Sequence, residues 1–288
     1  MQGLAAWIMR GRFTAIATTV VCAILPLLGW VSGAVVALVT LRRGAGEGLI
    51  VLLGSLVGVN LILALMAGQA VWLLGPALEL WLPVLVLALW LRSSISLSST
   101  LRLAAGLAAL AVAAFYAAVG DPSRYWRPRF EQVLGSLPDG GGVWGAGVEQ
   151  MLPMMTGFWA LGLLIGAVAS LLFGRWLQSL LYNPGGFAKE FRDVDLGRAL
   201  AGAAAALWVG TAFGGPAILQ DLALVISAVF VLQALSLVHA LIAAKRLGGG
   251  WLIVTYLLLP FAFQLMAIAG MADAAFQWRQ RLKLGAGS

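Results

Sequence analysis

Apolar residues run through this chain in long blocks, and the charged residues stand almost entirely between them. We distinguish about nine such blocks by their lack of charge and their length: 13–30, 31–41, 48–66, 72–91, 103–119, 151–174, 199–213, 218–244 and 251–272. A helix needs roughly 20 apolar residues to cross a hydrocarbon core of about 30 Å. Only a helix or a closed barrel can satisfy its backbone there, and no short alternating strand pattern is present. The pattern therefore predicts an all-α polytopic transmembrane bundle of about eight to nine spans, a single integral membrane domain over 1–288.

The blocks are uneven. Pro26 interrupts the first, and Pro76 and Pro83 the fourth. Block 31–41 is short and forms either the return arm of the first or its continuation, and block 199–213 is short and Ala-rich. If all nine cross, the tail carrying Arg279, Arg281 and Lys283 lies on the side opposite the N-terminus, against the positive-inside tendency. Failure of either short block to cross changes that parity. The N-terminal 42 residues are expected to be a retained hairpin or anchor rather than a signal peptide, because apolar character continues to Arg42-Arg43.

Two connecting segments stand out. In 121–150, Arg124, Arg127 and Arg129 oppose Asp121, Glu131, Asp139 and Glu149. This near-neutral segment is expected outside the cytoplasm, with Tyr125, Trp126, Phe130 and Trp144 resting on the membrane surface. Segment 175–198 is expected to be a cytoplasmic amphipathic loop. Its Asn183-Pro184-Gly185-Gly186 is a turn sequence. Phe187 and Phe191 follow, four apart and so on one side of a helix. Such a segment either pins the loop to the bilayer or presents Asn183, Pro184, Gly185, Gly186, Phe187 and Phe191 to a partner protein.

Composition agrees with the pattern. Hydrophobic residues make up 62% of the 288 and charged ones 10%, with a mean hydropathy of +0.98; a soluble domain is about half apolar and a quarter charged. The net charge of +7 does not indicate nucleic acid, because Arg10 with Arg12, Arg42 with Arg43 and Lys245 with Arg246 sit at block ends as orientation signals. The lone Cys22 cannot form an intrachain disulfide, and no Cys/His cluster suggests a metal. No P-loop, His-Glu-x-x-His or nucleophile-elbow motif is present, so neither enzyme activity nor a cofactor is expected. Asp221 and Asp273 fall at block ends and are expected at the interface, while Glu79 lies between two prolines.

Small residues recur every four positions at Gly162, Gly166, Ser170 and Gly174, and again at Gly202, Ala206, Gly210 and Gly214, while Gly54 pairs with Gly58. Such rows let helix backbones approach closely, within the chain or against a partner. Inside block 218–244, Gln233 and the only histidine, His239, stand about 120° apart around a helix. Each either makes an interhelical hydrogen bond or touches a solute. Asn60 and Gln264 are weaker cases of the same kind.

The strings Ile8-Met9-Arg10-Gly11-Arg12, Ala37-Leu38-Val39-Thr40-Leu41-Arg42, Asn183-Pro184-Gly185-Gly186-Phe187 with Glu190-Phe191, Gln233 to His239, and Gly270-Met271-Ala272-Asp273 with Phe276 and Arg279 resemble the YybS-like family of predicted bacterial membrane proteins. That family is one of unknown function, itself remotely similar to the substrate-binding components of energy-coupling-factor transporters, which bind vitamins or metal ions and dock on a separate membrane subunit; this chain has more apolar blocks than the six segments typical of such components. The resemblance implies a bacterial inner-membrane protein with a transport-related small-molecule site. Gln233, His239 and Asn60 are the ligand-binding candidates that our reading of the spans supplies. The alternative expectation is a membrane scaffold or regulatory partner acting through 175–198 without a ligand. The lipid bilayer is a partner in either case, and another membrane or cytoplasmic protein is the second candidate.

Overall fold

A computed structural model of the chain describes residues 1–67, 74–135, 147 and 150–281. Among these, all regular structure is helical: α1 (Gln2–Ile8), α2 (Arg12–Ile24), α3 (Gly29–Arg43), α4 (Ala45–Ala67), α5 (Leu74–Ser94), α6 (Leu97–Val119), α7 (Pro122–Gly135), α8 (Met155–Tyr182), α9 (Gly186–Arg192), α10 (Arg198–Ala212), α11 (Ala217–Ala244), α12 (Gly250–Leu258), α13 (Phe263–Phe276) and α14 (Trp278–Arg281). The chain divides into two compact units. The first comprises Met1–Ala104 with Leu163–Asp195, and the second Ala105–Gly162 with Leu196–Ser288.

The first unit is built around α3. A 3₁₀ turn at Pro26–Leu28 precedes this helix. Gly44, with φ +93°, ends it and donates its N–H to the Thr40 carbonyl, a backbone conformation that glycine adopts without strain. Every residue from Ser32 to Leu41 is buried, as expected of a helix that is apolar all round. It packs against α2, α4 and α5, and the Trp81 indole N–H donates to Ser32 Oγ at 2.8 Å. The small-residue row on α8 serves this packing: a Cβ on Gly174 would stand 2.8 Å from the Ala34 carbonyl oxygen. Ser170 Oγ donates to the Trp30 carbonyl at 2.6 Å. Gly54 and Gly58 likewise receive Ile16 and Val20 of α2.

The second unit is built around α11, which is buried over most of its length. Its most extensive partner is α13, where a Cβ on Gly270 would stand 1.9 Å from the Phe230 carbonyl oxygen. Helix α10 also packs on α11, and Trp208 Nε1 donates to Ser227 Oγ at 3.0 Å. The row on α10 is only partly used: Gly210 faces Leu219, while Gly202 and Gly214 have nothing against them.

The helices do not confirm the expected eight to nine spans. The protein is an all-helical membrane protein, and among the described residues four helices are long and apolar enough to cross, Ala45–Met66, Leu97–Val119, Leu152–Tyr182 and Ala217–Ala244. Two further pairs bring the total to six if each bent pair is one span: α1 with α2, bent by 116°, and α12 with α13, bent by 114°. The second break falls at Pro260, which lacks the N–H to continue the helix. The two short blocks form 15-residue helices, α3 and α10, each about 22 Å long and short of the hydrocarbon thickness.

The loop expected over 175–198 is also shorter, because α8 continues to Tyr182. Leu177 is buried, and Trp176, Leu180 and Leu181 pack against the core of the first unit, so the apolar face persists past Arg175. In the segment expected outside the cytoplasm, α7 runs through Pro128. Asp139, Trp144 and Glu149 lie outside the described residues, as do Trp72 and Lys283.

Candidate functional site

Gln233 lies at the centre of a polar network inside the second unit. It is 1% exposed. Its Oε1 accepts the backbone N–H of Leu196 at 2.9 Å, and its Nε2 donates to Asp273 Oδ2 at 2.9 Å. Arg279 closes the network, with Nε donating to the same Asp273 oxygen at 2.9 Å and Nη2 to the Gln233 carbonyl at 3.1 Å. Asp273, expected at the interface, is 2% exposed. At Oδ2 a guanidinium and an amide replace the water it gives up, while Oδ1 has no hydrogen-bond partner among the described residues.

Asp221 is the second correction of this kind, for it is fully buried. Tyr116 on α6 donates its hydroxyl to Oδ2 at 2.8 Å, and Oδ1 has no hydrogen-bond partner among the described residues. Gly157 lies directly against it, where a Cβ would stand 2.5 Å from Oδ1. Close by in sequence, the Phe115 ring meets Tyr125 edge-on at 4.9 Å and stacks on Trp126 at 5.7 Å. These α7 aromatics, expected on the membrane surface, therefore pack on protein.

The other ligand-binding candidates have partners of their own. His239, half-buried, has its Nε2 3.1 Å from the hydroxyl of the exposed Tyr256, less than two turns along α11 from Gln233. Asn60 is on α4 in the first unit and donates to the Leu56 carbonyl of its own helix at 2.9 Å. Gln264 is exposed and Glu79 is exposed on α5.

The first unit holds a cavity of about 110 Å³ lined by Leu41, Leu91, Arg92, Ile95, Arg175, Gln178 and Glu190. Arg92 Nη1 donates to the Leu41 carbonyl at 2.7 Å. The Arg175 guanidinium meets the Glu190 carboxylate with two N–H groups, Nε to Oε2 at 2.9 Å and Nη2 to Oε1. Its Nη1 donates to Gln178. Ile95 stands at the rim, 83% exposed, with φ +50°, a conformation unfavourable for a β-branched residue.

The distinctive turn places Glu190 there. Gly185 has φ +84°, and the Asn183 side chain lies against Gly186, where a Cβ would stand 2.2 Å from Nδ2. Helix α9 then brings Glu190 to Arg175. Phe187 and Phe191 do share a side of α9 and stack at 6.0 Å, but Phe191 is buried and Phe187 half-buried. The Phe191 ring is thus covered by protein rather than offered to a partner, because an aromatic gains more from packing than from water. Asn183, Pro184 and Gly185 remain exposed.

Sequence reading found Gln233 and the turn but not Arg92, Arg175, Gln178, Asp221 or Asp273 as members of sites. The one available signal was a charge near the end of an apolar block, which is ordinarily a solvated boundary. Among the described residues, no group of three or more metal-ligating side chains gathers. In comparisons with family models, curated proteins and solved structures, nothing matches this chain.

Proposed function

We propose that the chain is a bacterial inner-membrane protein that binds a small polar molecule in a transport-related role, and that the binding place is the cavity of the first unit. One observation carries this reading: a cavity of about 110 Å³ keeps two guanidiniums, a carboxamide and a carboxylate on its wall. The Gln233 amide, in turn, is taken up by Leu196 and Asp273.

The same end of the first unit carries Arg12 beside Glu47, Arg43 on the Met9 carbonyl and Arg92 on the Leu41 carbonyl. Basic residues at span ends favour the cytoplasmic side, so the cavity opens toward the cytoplasm in this reading. The resemblance to the YybS-like family and, through it, to transporter substrate-binding components supports the same role. Lacking an ATPase motif, the chain would work with a partner subunit.

A thermal-shift screen of the purified full chain against small polar molecules tests this. A ligand at 100 times its Kd adds about 2.7 kcal/mol of stability, and the shift should vanish in Arg92→Gln and persist in His239→Ala. A panel with no stabilising member, or a shift lost in His239→Ala, contradicts the proposal.

The exposed Asn183–Gly185 turn favours a second reading, a scaffold that docks a partner through this turn. A pull-down whose partner is lost in Pro184→Asp, with no ligand found, would select it.

A further inference from the structure

We infer that the cavity of the first unit receives a phosphate group between Arg92 and Arg175, and that its arrival displaces Glu190 from Arg175. This rests on reading the cavity as a ligand site. The wall has two guanidiniums against one carboxylate, so it retains one positive charge in excess. Arg175 is part-buried, at 21% side-chain exposure, and Glu190 is at 30%.

Guanidinium forks match phosphate and carboxylate oxygens alike. A competing carboxylate would offer Arg175 no more than Glu190 already gives from a few ångströms away. A phosphate monoester adds a third acceptor oxygen and up to a second charge, and it can engage Arg92 and Arg175 together. The competition is a modest one, because part-exposed ion pairs contribute about 1 kcal/mol or less. Glu190 therefore acts as a displaceable latch, lowering apparent phosphate affinity by at most about fivefold.

The apolar part of the lining, Leu41, Leu91 and the exposed Ile95, suits the organic portion of such a ligand. The phosphate could belong to a lipid headgroup or to a soluble phosphate ester, and the chemistry recognised is the same. Displacing Glu190 breaks the ion pair that joins α9 to α8, so ligand arrival is conveyed to the segment that follows the Asn183–Gly186 turn.

The test uses the full chain in nanodiscs. Inorganic phosphate is titrated by calorimetry in phosphatidylcholine discs, and retained lipid is read by native mass spectrometry from discs that also contain phosphatidic acid. Phosphate binding in phosphatidylcholine discs assigns a soluble source. Preferential retention of phosphatidic acid that millimolar phosphate does not displace assigns a headgroup. Either supports the inference, provided that the isosteric Glu190→Gln tightens binding up to about fivefold. Arg175→Gln should weaken it tenfold or more, and Arg129→Gln on α7 should leave it unchanged. Hydrogen exchange at 186–192 should quicken on binding.

If neither probe binds, or if Glu190→Gln binds no more tightly than the wild type, the inference is overturned. Should a different small molecule still stabilise the wild type through Arg92, the proposed cavity stands without its phosphate. Should nothing bind, both fall.

Discussion

Arg175 and Glu190 are joined by a two-pronged ion pair across fifteen residues, from the last turns of α8 to the short helix α9. Because both side chains are partly exposed, Glu190→Gln should lower unfolding stability by about 1 kcal/mol or less. Denaturation of the two proteins in the same detergent measures this. A loss several times larger would mean that the pair holds α9 in place as a structural element rather than as a latch.

The Gln233 network makes a steeper prediction. Gln233→Ala leaves the buried Leu196 N–H without its acceptor and should cost about 2 kcal/mol. Asp273→Ala should cost more, about 3 kcal/mol or above, because it strands the Arg279 guanidinium, whose side chain is only 14% exposed. Equal and small losses in both would mean that water reaches this network.

Two glycines inside helices should respond to alanine with opposite signs. Gly270→Ala would place its Cβ 1.9 Å from the Phe230 carbonyl oxygen and should cost about 3 kcal/mol, at the upper end of overpacking. Gly202→Ala meets nothing within 4 Å and lies inside α10, so helix propensity alone should stabilise by about 0.5–1 kcal/mol. Thermal unfolding of the pair distinguishes close backbone approach from composition.

Ile95 occupies the left-handed region while exposing most of its surface. Ile95→Gly removes that strain and little burial, so it should stabilise the protein by about 1 kcal/mol. Destabilisation in the same unfolding assay would show that the Ile95 side chain contributes packing at the cavity rim.

The membrane class was legible from the apolar blocks alone, since nothing else accounts for four helices of that length and hydropathy. The span count was not. An 11- to 15-residue apolar run reads alike whether it faces lipid or, as in α3, other helices on every side. Asp221 and Asp273 read as interfacial because they stand near block ends, and only the tertiary partners Tyr116 and Arg279 show that they are enclosed. Of the candidate site, the Asn183–Gly186 turn and Phe187–Phe191 were visible as local motifs. The cavity was not, because Leu41, Arg92, Arg175 and Glu190 are brought together only by the packing of α3, α5, α8 and α9.

The proposed binding of a small molecule in the cavity lined by Arg92 and Arg175 is read out by untargeted mass spectrometry of molecules retained by the purified wild type, beside Arg92→Gln and His239→Ala prepared identically. A retained compound present in the wild type, kept in His239→Ala and lost in Arg92→Gln is the predicted result. A compound lost in His239→Ala but kept in Arg92→Gln, or none retained by the wild type, would contradict it.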